Sequence, residues 1–387
     1  MTNGAQSGLG VAVIGFGWMG RVHAQAYTRV PHHFPLVPRP ELIAVADEVP
    51  GRAEEAAAQF GFATAVRDWR ALADDPRVQA VSITAPNFLH REIGVAMAQA
   101  GKHVWIEKPV GLGVDDARAV HDAVAAAGVQ GTVGFNYRNA PAVQAARALI
   151  ADGGIGAVTH VRVRLFSDYA AHPDGALTWR FERERGGNGV LGDLASHGVD
   201  LARHLLGEIA AVVADTAIFV PRRARPTGPT AGHTRAAGGE LGPVENEDYV
   251  TCLMRFASGA RGVLEACRVS VGEQNAYGFE IHGTRGALFW DFRRMGELGV
   301  SQGTDYQDQP VSTVHVGPAH GDYGAFQPGS AISMGYDDLK VVEARNFLRS
   351  VADGAPHGPT LADAVSSAVV LDAMARSVEI GGWVSLS

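Results

Sequence analysis

Residues 11–27 read VAVIGFGWMGRVHAQAY: a β-branched apolar run, a turn built on Gly15, Gly17 and Gly20, and helical spacing from Met19 to Val30. This strand, glycine turn and helix limits the fold more than any other stretch. In G-x-G-x-x-G the first glycine makes the tight turn, the second lets a pyrophosphate approach the backbone, and the third lets helix pack on strand. Free N–H groups and the dipole at the helix start favour phosphate there. A glycine turn that binds nothing fits these residues equally, so the downstream strands decide.

The next strand, ELIAVADE (41–48), ends in Asp47, whose carboxylate can accept hydrogen bonds from an adenosine ribose and repel a 2′-phosphate. Asp47 comes later than the usual ~20 residues past the glycines. Residues 31–40, PHHFPLVPRP, carry four prolines and read as a loop inserted between the first helix and the second strand. With Glu48 beside Asp47 and no arginine there to pair with a phosphate, NAD is expected over NADP.

The alternation continues with helix 51–60, strand 62–66, a helical turn at 68–72, strand 78–86, helix 87–101, strand 102–109 and helix 114–127. Strands separated by single helices predict a doubly wound parallel sheet whose ligands sit at the strands' carboxyl ends. Those ends are Gly15 to Gly20, Asp47, Thr84 to Asn87, and Glu107-Lys108-Pro109. Lys108 follows an apolar strand, which holds its ammonium at the sheet edge; a lysine that only snorkels from a strand end fits the same residues.

The chain has 387 residues, 46% of them hydrophobic, which is room for two domains. A net charge of −8 without a long basic run lacks the electrostatic footprint of a nucleic-acid binder and points to a small-molecule partner. Cys252 and Cys267 are too few for a disulfide framework and read as core residues. The N-terminal MTNGAQSGLG lacks a basic-then-apolar leader, and no apolar run is long enough to span a bilayer, so no membrane partner and a cytoplasmic location are expected.

G-F-G-W-M-G at 15–20, A-D at 46–47, T-A-P-N-x-x-H at 84–90, E-K-P at 107–109 and G-F-N-Y-R at 134–138 together resemble the glucose–fructose oxidoreductase/inositol dehydrogenase (Gfo/Idh/MocA) family. Residues 184–208, ERGGNGVLGDLASHGVDLARHLLGE, are similar to that family's glycine turn followed by a helix bearing D-x-x-x-H-x-x-D. The spacing puts Asp193 and His197 on one helical face, where a carboxylate-held histidine can relay a proton near neutral pH; a plain polar face fits the spacing as well. Asp193, His197 and His204 do not converge on one metal ion, because the last two are ~10 Å apart along a helix, and no metal site is expected.

The resemblance implies an α/β chain with an N-terminal Rossmann domain over 1–136 and a substrate-binding α/β domain over 137–387. The second domain would carry a large, mainly antiparallel open sheet that forms a homodimer or homotetramer contact. Short turns such as 257–259 and 283–286 support antiparallel pairing, and residues 220–248 and 301–334 read as irregular loops. The family pattern implies NAD contacts from Gly15, Phe16, Gly17, Trp18, Met19, Gly20, Asp47, Thr84, Ala85, Pro86, Asn87, His90, Glu107 and Lys108. It makes His197 the acid–base group, Lys108 the holder of the reacting hydroxyl, and Asp193 the orienter of substrate or histidine. Tyr137, Arg138, Trp179 and Arg180 would join them in lining the substrate site. The implied reaction is hydride transfer from a secondary hydroxyl of a polyhydroxylated substrate, a sugar, anhydrosugar, glycoside or cyclitol, to nicotinamide. An NAD(P)H-dependent keto-sugar reductase or a non-catalytic NAD-binding sensor would share the cofactor motifs.

Overall fold

The computed structural model describes residues 8–228, 235, 236 and 238–386. The expectations for the N-terminal leader and for part of the loop over 220–248 fall on residues 1–7, 229–234 and 237, outside the described residues.

The first half alternates as its spacing predicts: β1 (Leu9–Ile14), α1 (Trp18–His33), β2 (Pro40–Ala46), α2 (Arg52–Phe60), β3 (Thr64–Val66), β4 (Ala80–Ile83), α3 (Asn87–Gln99), β5 (His103–Ile106) and α4 (Val114–Ala127), with one further strand that the spacing did not signal, the three-residue β6 (Gly131–Val133). The strands form one parallel sheet in the order β3-β2-β1-β4-β5-β6. Central β1 and β4 are buried along their whole length, which is why they do not alternate: β1 is apolar throughout, and the one polar side chain of β4, Ser82, shares a hydrogen bond with Tyr27 Oη. The order reverses between β1 and β4, so Gly15 and Thr84 leave the sheet at its switch point, where such folds bind ligands.

One boundary differs from the proline-based expectation. Helix α1 continues through Pro31 to His33, so the loop shrinks to 34–39 and Pro40 opens β2. Pro31 lies in the helix's last turn, where the chain is already leaving the hydrogen-bonded ladder, and Phe34 N–H still reaches Val30 O at 2.8 Å.

The second half contains α5 (Pro141–Ala151), β7 (Val158–Ser167), α6 (Arg183–Gly186), α7 (Ser196–Leu206), β8 (Ile209–Ala217), β9 (Arg222–Ala224), β10 (Leu241–Pro243), β11 (Tyr249–Phe256), β12 (Arg261–Cys267), β13 (Asn275–Gly283), β14 (Gly286–Asp291), β15 (Glu297–Gln302) and β16 (Ser312–His315). The chain closes with α8 (Tyr336–Asp353), α9 (Leu361–Ile380) and β17 (Val384–Ser385). Nine strands form the sheet β16-β15-β14-β13-β7-β12-β11-β8-β17, antiparallel except where β7 runs parallel to β12. Along β7, Val161, Val163 and Leu165 are buried while His160, Arg162 and Arg164 are exposed, so one face is core and the other open.

Three expectations are corrected. Residues 301–334 are not wholly irregular, because β15 and β16 extend the sheet there. Within 220–248, β9 and β10 pair as a short antiparallel ribbon. The second domain is not the continuous 137–387: the chain divides into one compact unit of 1–136 with 336–365 and another of 137–335 with 366–387. The return of 336–365 is driven by α8, whose Leu339, Val341, Val342, Ala344, Phe347 and Leu348 are buried. Asp338 on it pairs with Arg29 on α1, and Pro359 O accepts from Val133 N–H on β6. Cys252 and Cys267 are free and buried, as small core residues, and burial pushes the Cys252 thiol up to about 12.

Candidate active site

In the first unit the glycine turn is closed where the chain packs and open where a phosphate would approach. A Cβ on Gly15, which sits at φ +86°, would meet Ala85 backbone at 2.7 Å, whereas one on Gly17 would meet nothing within 4 Å. The first turn of α1 carries no acidic side chain to compete with an anion. These residues fit a dinucleotide. Phe16, placed among the cofactor contacts by sequence, turns its ring inward against Phe60 and Phe62 and offers only its backbone.

Asp47 is tied into this turn. Its Oδ2 accepts from Phe16 N–H at 2.7 Å and its Oδ1 from Val49 N–H at 2.9 Å, which leaves further acceptor capacity on both oxygens. The sequence reading found no arginine beside it, and the structure corrects this: Arg52 Nη1 lies 3.3 and 3.4 Å from the two carboxylate oxygens. Arg52 opens α2, so the turn through Gly51 at φ +81° brings a side chain five positions away back onto Asp47.

Thr84 and His90 support the loops more than they face a ligand. The Thr84 hydroxyl donates to Gly15 O at 2.5 Å. His90 is buried, with Nδ1 2.8 Å from Pro109 O and Nε2 2.8 Å from Ala85 O, so it joins the T-A-P-N turn to the E-K-P turn. Lys108 is half-buried, Trp18 is 61% exposed, and Gly17 is exposed; Met19, Ala85, Pro86 and Asn87 are half-buried along the same strand ends.

Glu107 departs furthest from its assigned role. Its side chain is buried, and Oε1 meets Lys340 Nζ at 2.5 Å and His23 Nε2 at 2.9 Å. Lys340 Nζ also lies 2.9 Å from Glu343 Oε2, and Glu343 Oε1 accepts from Trp105 Nε1 at 3.1 Å. The His23 ring stacks on Trp105 at 3.6 Å. Glu107 thus faces the interior, not a cofactor.

Burial by itself raises the Glu107 carboxyl, but the Lys340 ammonium and the His23 hydrogen bond outweigh it and hold Glu107 ionised. Burial lowers His23 to about 4, so its ring is neutral and donates from Nε2. Burial also raises Glu343 to about 7, since Lys340 is already matched by Glu107. A carboxyl raised from 4.5 to about 7 keeps its proton in the native state where the unfolded chain has lost it, so its contribution to stability falls as pH rises through that window. His23, lowered from 6.5, has the opposite slope over much of the same range. Glu343→Gln removes one of the two opposing slopes. Its stability relative to the parent should rise by roughly 3 kcal/mol between about pH 4.5 and 7 in urea unfolding; a pH-independent difference would contradict the buried-acid assignment.

In the second unit, residues 191–195 form a π-helical turn that runs into α7. Such turns are frequent at functional sites, and this one shifts Asp193 off the α-helical register that the four-residue spacing assumes. The Asp193 carboxylate accepts from Tyr169 Oη at 2.5 Å and lies 3.9 Å from Arg180 Nη1. Arg180 in turn stacks over Trp179, Cζ to ring centre 4.5 Å. His197 is buried and packs edge-on against Tyr137 at 4.7 Å, and Tyr137 touches the rings of Tyr277 and Phe292. Burial, then the Asp193 charge, hold the Tyr169 and Tyr277 phenols well above their usual range, so both stay protonated donors.

Arg138, expected to line the substrate site, donates from Nε to Asp200 Oδ2 at 2.8 Å and from Nη2 to Oδ1, a part-buried two-pronged pair that ties its guanidinium to α7.

Residues 9–135 match the model of an oxidoreductase family with an NAD-binding Rossmann fold, and residues 143–289 match the GFO/IDH/MocA C-terminal domain. The chain belongs to the GFO/IDH/MocA family. It is 39% identical over 384 residues to levoglucosan dehydrogenase from Pseudarthrobacter phenanthrenivorans, covering 98% of each chain. It is 27% identical to inositol 2-dehydrogenase from Rhizobium meliloti, over 95% of this chain and 96% of that one. A solved structure of levoglucosan dehydrogenase in complex with NADH and levoglucosan superposes with a TM-score of 0.92 at 37% identity, over 98% of this chain and 99% of that one.

As a GFO/IDH/MocA oxidoreductase, the chain carries its cofactor motifs on the first unit and its D-x-x-x-H-x-x-D helix on the second. Among the described residues, no three His, Cys, Asp or Glu side chains gather as a metal site would require, and no helix is long and apolar enough to cross a membrane. Sequence reasoning missed Tyr169, Tyr277, Phe292, Arg52, His23 and Lys340. A signal for Lys340 was present: Lys340, Glu343 and Phe347 share one stripe of α8, so two charges stand on its buried face.

Proposed function

We propose that the protein is a cytoplasmic NAD-dependent dehydrogenase that oxidises a secondary hydroxyl of a neutral sugar, anhydrosugar, glycoside or cyclitol. The observation that carries this reading is the Asp193 cluster. A carboxylate held by Tyr169 and flanked by Arg180 stands close in sequence to a histidine packed in aromatic rings, which suits a ring with hydroxyls on its edge and C–H bonds on its faces. Identity to levoglucosan dehydrogenase over nearly the whole chain supports an anhydrosugar or pyranose. Two free buried thiols suit a reducing compartment.

Gly15 to Gly20 and Asp47 would hold the NAD pyrophosphate and ribose, and the bound cofactor would supply the hydride acceptor for the carbinol carbon. His197 takes the hydroxyl proton on a ring nitrogen. Lys108 donates a hydrogen bond to the same oxygen, and Asp193, fixed by Tyr169, accepts from a neighbouring hydroxyl and orients the ring. Removing the proton as the hydride departs avoids a protonated ketone, a contribution of ~10²–10⁴ in rate.

The test is NADH absorbance with NAD or NADP across levoglucosan, pyranoses, glycosides and inositols. NAD reduction by at least one of them is expected. Turnover of keto-sugars with NADH and of no alcohol with NAD would replace the dehydrogenase with a reductase; tight NADH binding without turnover in either direction would leave a sensor. The reading includes a homodimer or homotetramer through the open face of the nine-stranded sheet, where Arg162 and Arg164 are exposed, so light scattering on the same preparation should give two or four chain masses.

A further inference from the structure

We propose that Lys340 is a positioning residue for the hydride-transfer reaction: from the C-terminal helix α8 it clamps the Glu107 carboxylate and thereby fixes the strand end from which Lys108 extends. The inference rests on the assignment of Lys108 made above.

Adjacent residues leaving a strand point to opposite sides, so Glu107 enters the core while Lys108 faces outward. Holding the Glu107 side chain at its tip therefore restrains the backbone that aims Lys108. The hold is made from two helices. Lys340 Nζ on α8 and His23 Nε2 on α1 both reach Glu107 Oε1, at 2.5 and 2.9 Å. The backbone below is tight as well, since a Cβ on Gly134 would come within 2.7 Å of both carboxylate oxygens.

Lys340 is fully buried, as are Glu343 and His23. A buried ion pair is a poor source of stability compared with apolar side chains of the same volume; what it supplies is one defined geometry. The titratable groups around Glu107 are Lys340 and Glu343 from α8, His23 from α1 and His90 from α3, with Lys108 next in the chain. Without Lys340 the Glu107 carboxylate has one neutral donor left. It then takes up a proton or draws the Lys108 ammonium toward itself, and either event misplaces Lys108. The same helix also reaches the glycine turn, where Tyr336 stacks on Trp18 at 5.4 Å. Residues far from the motifs in sequence thus brace both loops.

The experiment is steady-state kinetics on the full-length enzyme with Lys340→Met, Glu107→Gln, the Lys340→Met/Glu107→Gln double variant and Lys108→Ala, each with a pH profile of kcat, NADH binding by fluorescence, and Tm. Lys340→Met is expected to lower kcat by about 10–100-fold, to change the NADH Kd less than threefold, and to shift the pH profile. Combined with Lys108→Ala it should add no further loss. The double variant removes the ammonium together with the carboxylate it clamps, leaves Glu343 held protonated by burial, and folds even where Lys340→Met alone does not. Because Lys340 acts through Glu107, the double variant's kcat should match that of Glu107→Gln within about twofold, with both at least about fivefold below the parent. A fall in Tm with kcat and pH profile unchanged in both Lys340 variants would overturn the inference. Full activity in Lys108→Ala would instead overturn the assignment of Lys108, and this inference with it; loss in Lys108→Ala with no effect at Lys340 sinks the inference alone.

Discussion

Replacing His197 by alanine should lower kcat by ~10²–10⁴ while NADH binding changes little, and Lys108→Ala should lower kcat by as much. The proposed chemistry removes a proton from an alcohol as its carbon loses hydride, and without a base at the oxygen that proton must leave to water. His197 lies on α7 in the second unit, where its ring is buried against Tyr137; Lys108 lies at the carboxyl end of β5 in the first. Asp47 and the glycine turn are held by Phe16, Val49 and Thr84, so cofactor binding serves as the internal control for His197→Ala. Single-turnover NADH formation with either variant at the parental rate would remove that residue from the mechanism. Loss of NADH binding together with kcat would point to misfolding.

Asp47→Asn should raise the ratio of kcat/KM for NADP to that for NAD by roughly 10²–10³-fold, because a like charge held against a phosphate costs several kcal/mol and each ~1.4 kcal/mol is tenfold. Two effects act in the same direction. The amide no longer repels a 2′-phosphate, and Arg52, now 3.3 Å from the carboxylate, loses its anionic partner and can pair with that phosphate. Asparagine is chosen over alanine because its side-chain oxygen retains an acceptor for the Phe16 or Val49 N–H. Adding Arg52→Ala should cancel most of the gain. An unchanged ratio in Asp47→Asn would mean that the discrimination lies elsewhere in the loop.

The cofactor half was legible because its signals are local. The Val11 to Ile14 run, the Gly15 to Gly20 spacing and the single helices between strands each express a backbone requirement of a few consecutive residues, and the doubly wound parallel sheet follows from them; its order, β3-β2-β1-β4-β5-β6, comes from the structure. Asp47 was found for the same reason, one residue beyond β2. Arg52 was missed although it is only five residues on, because the left-handed turn at Gly51 that folds it back is not written in charge spacing. Pro31 misled in the other direction, since proline marks a helix end only to within the last turn.

The site residues divide similarly. Their positions along the chain came from motifs, but the direction each side chain takes did not. Glu107, His90 and Phe16 sit within cofactor motifs, yet their side chains are drawn into buried contacts with Lys340 and His23, with two carbonyl groups, and with Phe60 and Phe62. The π-helical turn at 191–195 was likewise not written in the four-residue spacing, nor was Tyr169 as the hydrogen-bond partner of Asp193 on that turn.

What this amino-acid sequence determines by itself is therefore the family, the parallel dinucleotide sheet, and the places where Lys108, Asp193 and His197 occur, because periodicity and glycine turns are written over spans of ten to thirty residues. Only the tertiary structure decides that 336–365 rejoins the first unit and that Lys340 meets Glu107, 233 residues earlier. A buried charge must find its opposite in space, and nothing in the spacing along the chain specifies which distant residue that will be.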